Sequence, residues 1–334
     1  MKMKRINSLV VFLMVLVLVG CNSNNPSATN KESEESDHSE ETIDIAVLLW
    51  SRGFEFMVAL DEGIKEEAEK LGANVTVLDG QEDSQVQLRQ IEDNIAKGVD
   101  LIILAPNNSD ELVPGVKKAN DAGIPVVTVD SIVAEGAEIV SSISFNNAEA
   151  GQVAAQYIRT ALGEGTVLEL TGSPAAYHAI FRGGGFNQGM EESTDFEVIS
   201  QNAEWSAEES QSITADSLTA NSEINAIFTH NDDMQRGVLS GLRQVDKLKT
   251  ADEDEYIVSV GVDGTPEALE RIRKGEQAAT VNQDPFEMGA LAVQTAIKYI
   301  KGEDVPKEQF TPPMLITKEN VDDPDLWGNV MKDK

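Results

Sequence analysis

The chain has 334 residues and carries 58 acidic against 26 basic side chains, which gives a formal net charge of −32. A field of that sign repels nucleic acids and anionic lipid surfaces, so neither is expected as a partner. The length exceeds one typical domain, and the single cysteine excludes an internal disulfide framework.

The first twenty residues have the layout of an export signal. Three basic residues stand within the first five positions, and residues 9–19 form an apolar run that is too short for a membrane-spanning helix. The stretch LVGC (18–21) resembles the bacterial lipobox, in which the cysteine is lipidated and becomes the mature N-terminus. The sequence therefore predicts a signal peptide over 1–20, lipidation of Cys21, and an extracytoplasmic protein anchored to the cell membrane.

Residues 21–42 are rich in Asn, Ser and Glu and contain almost nothing apolar that a core could bury. Such a composition predicts a disordered acidic tether. The folded part is expected to begin near Ile43, separated from the lipid by the tether.

From Ile43 almost to the end, short β-branched apolar runs alternate with longer amphipathic stretches. Continuous apolar strands separated by helices are typical of parallel sheets that are covered on both faces. Ten predicted strands are too many for a single sheet of ordinary size, and they fit a closed barrel of eight strand-helix units poorly. The sequence thus predicts an α/β protein with two Rossmann-like lobes, each built on a parallel sheet. The predicted strands are 43–49, 75–78, 101–104, 125–129, 139–143, 166–170, 198–200, 226–229, 257–262 and 278–281, and the clearest helical patterns are 56–71, 85–96, 148–161, 232–245 and 286–300.

Nearly every predicted strand ends in side chains that form hydrogen bonds. Ligands of open α/β sheets lie beyond the carboxyl ends of the strands, so these residues are candidates for a binding site. Helix capping accounts for about half of them, and Asp232 and Thr265 are predicted to cap the helices that follow. Phe54, Phe56 and Trp205 are candidates to cover the apolar face of a sugar, with core or lid packing as the alternative. The polar residues at these strand ends include Asp130, Asn231, Asp263 and Gln283.

Motifs for catalysis are missing from the sequence. It has three histidines, His38, His178 and His230, and it lacks the motifs of zinc proteases, P-loop nucleotide binding and α/β hydrolases. We therefore predict no catalytic residue, no metal site and no cofactor. A serine, His230 and aspartate triad stays open because a triad is defined by geometry. A sugar-directed hydrolase using Asp130 and Asp263 also stays open, although no apolar setting that would raise one pKa is visible in the sequence.

Six stretches, taken together, are specific: FMVALDEGIKEEAEKLGANVTVLDG (56–80), DAGIPVVTVDS (121–131), RGGGF (182–186), AIFTHNDDMQRGVLSGL (226–242), VGVDGTPEAL (260–269) and AATVNQDPFEMG (278–289). They resemble the substrate-binding proteins of bacterial sugar ABC transporters, of the ribose-binding-like type with a type 1 periplasmic binding protein fold. The resemblance covers roughly residues 43–317.

The resemblance implies a role for each matching position. Asp130 and Asp263 would accept hydrogen bonds from ligand hydroxyls, and Asn231 and Gln283 would both donate and accept them. Phe56 and Trp205 would stack on the ring. In the stretch FTHNDDM (228–234), Asn231 would face the ligand, Asp232 would cap the helix and His230 would lie at the rim of the site.

Two departures from the ribose-binding pattern affect the predicted site. Ribose binders usually have arginine after the strand-end aspartate, where this chain has Ser131. They also carry an R-x-R pair before G-x-G-F, where Ile180 replaces the first arginine and Arg182 keeps the second. Ser131 and Arg182 remain in the predicted ligand site. A crevice less positive than a ribose site is expected to bind phosphorylated or carboxylated sugars poorly, and it leaves room for an amino-bearing ligand.

The resemblance also implies three crossings between the lobes, near 144–145, 283–284 and 311–313. The first lobe would comprise 43–144 and 284–312, and the second 145–283 and 313–334. A monosaccharide or a related polyhydroxylated molecule would bridge them and favour a closed state.

The partners that the resemblance implies are an ABC permease and its ATPase, and the chain is expected to be a monomer. A receptor that senses a signalling sugar without transport is the alternative. A transcription regulator of the same fold is excluded, because a lipoprotein signal stands where a DNA-reading helix-turn-helix would be needed.

Overall fold

The computed structural model describes residues 42–332. The predicted signal peptide, Cys21 and the tether up to residue 41 lie outside these residues. Within 42–332, no helix combines the length and the apolar character needed to cross a membrane. The elements are β1 (Asp44–Leu49), α1 (Glu55–Leu71), β2 (Asn74–Asp79), α2 (Ser84–Lys97), β3 (Leu101–Leu104), α3 (Val113–Asp121), β4 (Val126–Asp130), β5 (Ser141–Phe145), α4 (Asn147–Leu162), β6 (Gly165–Thr171), α5 (Tyr177–Met190), β7 (Phe196–Asn202), α6 (Ala207–Ala220), β8 (Ile224–Thr229), α7 (Asp232–Gln244), β9 (Val258–Asp263), α8 (Pro266–Lys274), β10 (Ala279–Asn282), α9 (Pro285–Ile300), β11 (Glu308–Thr311), β12 (Met314–Thr317) and α10 (Trp327–Lys332).

The first sheet has the strand order β11-β5-β4-β3-β1-β2, and all of its pairs are parallel. Strand β1 shows why the predicted runs are apolar throughout. Ile45 and Val47 belong to a core shared with α1 and α9, whereas Ala46 and Leu48 belong to a second core with α2 and α3. Both faces of the sheet are therefore buried, as a parallel sheet requires.

The second sheet has the strand order β12-β10-β9-β8-β6-β7. It repeats the order of the first sheet, so β4 and β9 hold equivalent places in the two lobes. The prediction of two α/β lobes with parallel sheets is confirmed, and within residues 42–332 the one exception to parallel pairing is β12, which runs antiparallel to β10. The edge strands β11 and β12 were not predicted, since each has only four residues and two prolines separate them.

The chain passes between the two sheets three times. It leaves the first sheet after β5, returns from β10 through α9, which packs against the first sheet, and crosses again between β11 and β12. These positions agree with the three predicted crossings. The exact limits of the lobes stay a prediction.

The glycine-rich stretch 182–186 lies inside helix α5. A Cβ atom added to Gly185 would lie 1.9 Å from the carbonyl oxygen of Ala148 in α4, and one added to Gly151 would lie 2.1 Å from that of Arg182. Glycine is therefore required for α4 and α5 to pack this closely. The cluster serves helix packing, and it brings the start of α4 next to Arg182.

Candidate functional site

A cavity of about 310 Å³ lies at the carboxyl ends of strands from both sheets. Its volume falls within the usual range of small-molecule sites, about 300 to 1,000 Å³. Seven of the eight predicted ligand residues line it, namely Phe56, Asp130, Arg182, Trp205, Asn231, Asp263 and Gln283. His178 lines it as well.

Ser131 is the predicted site residue that does not line the cavity. Its side chain is buried, with 2% exposure, and its amide donates to the carbonyl of Val129 at 2.8 Å. This bond closes a tight turn at Asp130, which carries the next residue away from the cavity. Arg52, which follows β1, also lies outside the lining and forms an ion pair with Asp61.

Asp130 and Asp263 end the equivalent strands β4 and β9, one in each lobe. Both adopt positive φ angles, +66° and +126°, which are costly for a residue with a Cβ atom. Backbone strain of this kind costs about 1 to 3 kcal/mol for each residue and is concentrated at functional sites. The sequence predicted these two carboxylates at strand ends, and the structure places both on the cavity wall.

The carboxylate of Asp130 is buried, with 5% exposure, and accepts two hydrogen bonds. The indole Nε1 of Trp50 donates to Oδ2, and Nε2 of Gln283 donates to Oδ1, each at 3.3 Å. Burial raises the pKa of Asp130 to about 6, against the lowering effects of Trp50, Arg182 and Gln283. This raised pKa could not be predicted from the sequence, because it arises from burial that only the assembled cleft creates.

The raised pKa of Asp130 predicts how stability depends on pH. A folded-state pKa near 6 against 3.8 means that the group favours folding below pH 3.8 and that this contribution is lost as pH rises through about 6. The full loss is about 3 kcal/mol. In urea titrations of the ligand-free protein between pH 4.5 and 7.5, the Asp130→Asn variant should therefore gain stability relative to the unmodified chain as pH rises. A difference that is constant over this range would contradict the assignment.

Arg182 is a buried guanidinium, with 2% exposure, at the centre of a hydrogen-bond network. Its Nε and Nη2 donate to Oδ1 of Asn147 at 3.1 and 2.7 Å, and Nη2 also donates to Oε1 of Gln283 at 3.1 Å. Nη1 donates to the carbonyl of His230. Burial lowers its pKa, while Asp263 and Asp130 oppose that shift. Gln283 thus connects Arg182 of the second lobe to Asp130 of the first.

The carboxylate of Asp263 is 9% exposed, and burial raises its pKa well above the usual value. The charge of Arg182 lowers this pKa, whereas those of Asp232 and Asp130 raise it further. The carbonyl of Asp263 accepts from the indole of Trp327 at 2.7 Å and from the amide of Gln283 at 3.0 Å. Hydrogen bonds from α10 and from the residue that follows β10 therefore hold the main chain at Asp263 in place.

The stretch FTHNDDM (228–234) is used differently from the prediction. Asn231 is the N-cap of α7, accepting from the amide of Met234 at 2.9 Å, and it also lines the cavity. The predicted capping role of Asp232 is wrong. Its carboxylate accepts from the amides of Gly264 and Thr265 at 2.8 and 3.2 Å, so it braces the turn after Asp263.

His230 is not at the rim, contrary to expectation. It is fully buried, its Nε2 lies 3.1 Å from Oε1 of Glu169, and its Nδ1 accepts from the amide of Gly172 at 3.3 Å. Sequence could not show this, because Glu169 belongs to a neighbouring strand and lies 61 positions away. The predicted cap Thr265, by contrast, does cap α8.

Several packed aromatic side chains border the cavity, among them Trp50 and Phe54, whose ring centroids lie 4.8 Å apart. Phe56 packs edge-on against Trp327, with ring centroids 6.4 Å apart. Trp205 stacks on His178 at 4.7 Å, and its φ of +62° places it in the left-handed region. Burial lowers the pKa of His178 to about 3, so its ring is neutral at physiological pH. The wall is thus apolar and aromatic beside the carboxylates.

Sequence reasoning missed several residues that build this site. Trp50 directly follows β1 and Asn147 comes just after β5, so the rule for strand ends covers both, although neither was predicted to contact the ligand. Trp327 gave no such signal, because it acts on Asp263 through a contact across 64 positions. Within residues 42–332, no group of three or more His, Cys, Asp or Glu side chains is placed to hold a metal ion.

Comparison with known families gives an extensive match. A family described as a periplasmic binding protein domain matches residues 45–304. The ribose import binding protein RbsB of Escherichia coli (strain K12) is 35% identical over 276 residues, which cover 82% of this chain and 90% of that protein. The protein of the same name from Bacillus subtilis (strain 168) is 32% identical over 318 residues, covering 95% of this chain and 100% of that protein.

Solved structures show the same similarity. An ABC transporter solute binding protein from Bacillus halodurans C-125 with bound myo-inositol is 30% identical, with a TM-score of 0.77, and covers 84% of this chain and 96% of its own. A periplasmic solute binding protein from Actinobacillus succinogenes 130z with bound D-allose is 28% identical, with a TM-score of 0.77, and covers 84% and 99%.

Proposed function

Since the chain belongs to the periplasmic binding protein domain family, we propose that it is an extracytoplasmic receptor that binds a monosaccharide or a related polyhydroxylated molecule and delivers it to an ABC transporter. The observation that carries the proposal is the convergence of Asp130, Asp263 and Gln283 on one cavity between the lobes. Carboxylate and amide groups form hydrogen bonds with hydroxyls, and the rings of Phe56 and Trp205 suit the apolar face of a sugar.

The similar proteins support this class of ligand. Their names and titles give ribose, D-allose and myo-inositol, all of which are small and rich in hydroxyl groups. These proteins are binding components of importers, and the chain is accordingly a binding protein rather than an enzyme. In this view Asp130 acts as a hydrogen-bond acceptor for the ligand, and its raised pKa does not indicate a catalytic acid.

Binding is proposed to favour closure of the two lobes. A ligand that contacts Asp130 in the first lobe and Asp263 in the second makes both sets of contacts only when the cleft is closed. The link from Arg182 through Gln283 to Asp130 already spans this boundary. The closed monomer would then be the form that an ABC permease and its ATPase recognise.

A thermal-shift screen tests the proposed function. The full chain is melted with pentoses, hexoses, cyclitols and linear polyols, and ligand at 100 times its dissociation constant should add about 2.7 kcal/mol of stability. Variant Asp130→Asn in the same screen shows whether the shift arises in the cleft. If no compound of any of these classes moves the transition, the receptor proposal fails.

A lipid anchor at Cys21 is proposed to hold the receptor at the membrane. Replacing it, Cys21→Ser, should move the protein from the membrane fraction to the soluble fraction, because a multiply acylated N-terminus supplies the stable attachment. Ligand affinity should be unchanged, since residues 21–42 separate the anchor from the lobes. Membrane fractions and titrations of both forms provide the measurement. Undiminished membrane association of the serine variant would show that another element anchors the chain.

A further inference from the structure

The lining of the cleft is strongly acidic. Apart from Asp232, which is turned toward the main chain of Gly264 and Thr265, six carboxylates face two arginines there. His178 adds no positive charge, because burial lowers its pKa to about 3. The six carboxylates are Glu55, Glu82, Asp130, Asp233, Asp263 and Glu267, and the two arginines are Arg182 and Arg236.

The two arginines offset only part of this excess, and both are already engaged within the protein. Arg182 directs hydrogen bonds at Asn147, Gln283 and the carbonyl of His230, so most of its five donors are used within the protein. Arg236 is 57% exposed and forms an ion pair with Asp233 at 2.9 Å. The cleft therefore offers a ligand many more acceptors than donors.

Carboxylates also oppose one another across the mouth of the cleft. Glu55 begins α1 in the first lobe, whereas Glu267 stands at the start of α8 in the second. Burial raises the pKa of Glu55, the charge of Glu267 raises it further, and only Arg271 lowers it among its strongest influences. Arg271 forms an ion pair with Glu267 at 3.5 Å and also donates to Gln277 and to the carbonyl of Asp232, so it offsets only part of the negative charge at the mouth. Closing the cleft thus brings like charges together.

The surroundings of Asp263 indicate independently that the ligand supplies a hydrogen-bond donor. Its side chain is more than nine-tenths buried and lines the cavity. Its carboxylate is held by the main chain of Asp232, and among residues 42–332 no side chain donates a hydrogen bond to it. A buried carboxylate with so few donors is costly, and a ligand that donates to it removes that cost.

We propose that the ligand carries an ammonium group as well as hydroxyls, as an amino sugar or an amino polyol does. The inference rests on the proposed function, since it specifies the ligand of the same cleft. Hydroxyls alone satisfy the hydrogen bonds of Asp130 and Asp263 but leave the excess negative charge in place. An ammonium group supplies up to three donors and the missing positive charge, and the ring of Trp205 also favours a cation. A metal ion does not fit, because no described cluster has ligands for one.

Matched sets of compounds test the proposal on the full chain by calorimetric titration. Each set contains a neutral sugar, its 2-amino-2-deoxy form and the N-acetyl form of that amine, for glucose, galactose and mannose. 1-Amino-1-deoxysorbitol is compared with sorbitol, and a sugar phosphate is included. At least one free amine should bind ten times more tightly than both of its neutral counterparts, and the phosphate should bind most weakly.

Three outcomes overturn the inference. Neutral sugars that bind as tightly as their amines would refute the ammonium and leave the proposed receptor function intact. Tight binding of the phosphate would do the same. Stabilisation by Ca²⁺ or Mg²⁺ alone would mean that the acidic cleft serves a metal ion. Failure of every compound to bind would instead count against the receptor function itself.

A double variant at the mouth of the cleft tests whether the charge of its carboxylates, and not a change in folding, determines the affinity for the amine. The double variant Glu55→Gln, Glu267→Gln should lower affinity for the amine by three- to tenfold and leave that for the neutral parent unchanged. The matched control is Asp254→Asn with Glu255→Gln, two exposed carboxylates in the segment before β9. Affinity for the amine should also fall with added salt, because the mouth is open to solvent. Equal effects of both double variants would contradict the proposal.

Discussion

Replacing Asp263 by asparagine is expected to weaken ligand binding by about tenfold to 150-fold. Each hydrogen bond from a ligand to an ionised carboxylate contributes about 1.5 to 3 kcal/mol, and 1.4 kcal/mol corresponds to a tenfold change in affinity. Asparagine keeps the shape of the side chain and tolerates the positive φ of this position. The loss should therefore come from charge and not from a rearranged turn.

The same Asp263→Asn variant should be no less stable than the unmodified chain when ligand is absent. Burial raises the pKa of Asp263, so its ionisation opposes folding, and this cost decreases as pH falls from the folded-state pKa toward the usual value of 3.8. The amide carries no such cost, and the stability difference in favour of the variant should grow with pH. Calorimetric titration and urea unfolding of the same preparation measure the two effects separately.

The matched control for this prediction is Asp246→Asn. Asp246 is exposed, lies outside the cavity and also has a positive φ, +59°. It should change neither affinity nor the pH dependence of unfolding. If Asp263→Asn instead lowers stability and affinity together, the carboxylate braces the turn and is not a ligand acceptor.

Replacing Arg182 by methionine should have the largest effect on folding. Methionine fills part of the volume but leaves Asp130 and Asp263 without their buried counter-charge. The charge of Arg182 lowers the pKa of both carboxylates, and removing it should cost about 3 to 5 kcal/mol, as the loss of one partner from a buried ion pair does. Ligand binding should be lost as well, because Gln283 would lose the donor that orients its amide.

The cause of the Arg182→Met effect can be isolated with two further variants. Adding Asp263→Asn removes the uncompensated carboxylate, so the double variant should recover part of the lost unfolding free energy. Arg243→Met is the surface control, because Arg243 is 55% exposed and its ion pair with Glu276 spans 3.6 Å. A pair of that kind contributes about 1 kcal/mol or less. No recovery in the double variant would mean that Arg182 stabilises through packing alone.

Much of the architecture was predictable from local pattern. A strand that is buried on both faces can be recognised in the sequence as a continuous apolar run. Each residue of such a strand, as in Ile45 to Leu48, must enter one of two cores. Polar residues directly after such runs mark the ligand edge of a sheet, and Asp130 and Asp263 are among the residues that this rule identifies. Both line the cleft.

The roles of neighbouring residues were not predictable in the same way. Asn231 and Asp232 differ by one position, yet one caps α7 and the other braces the turn after β9. Either assignment agrees with the local sequence, and only the placement of β9 beside β8 distinguishes them. Ser131 was misplaced for a similar reason, since the positive φ of Asp130 is a property of the folded turn.

The sequence by itself determined the two-lobed α/β architecture and the strand ends that carry the cleft, because strand periodicity and turn chemistry act over a few residues. The tertiary structure alone decided the electrostatics. Gln283 joins Asp130 and Arg182 across 153 and 101 positions, and burial of these groups sets their pKa values. Desolvation depends on everything that surrounds a group after folding, so no local pattern encodes it.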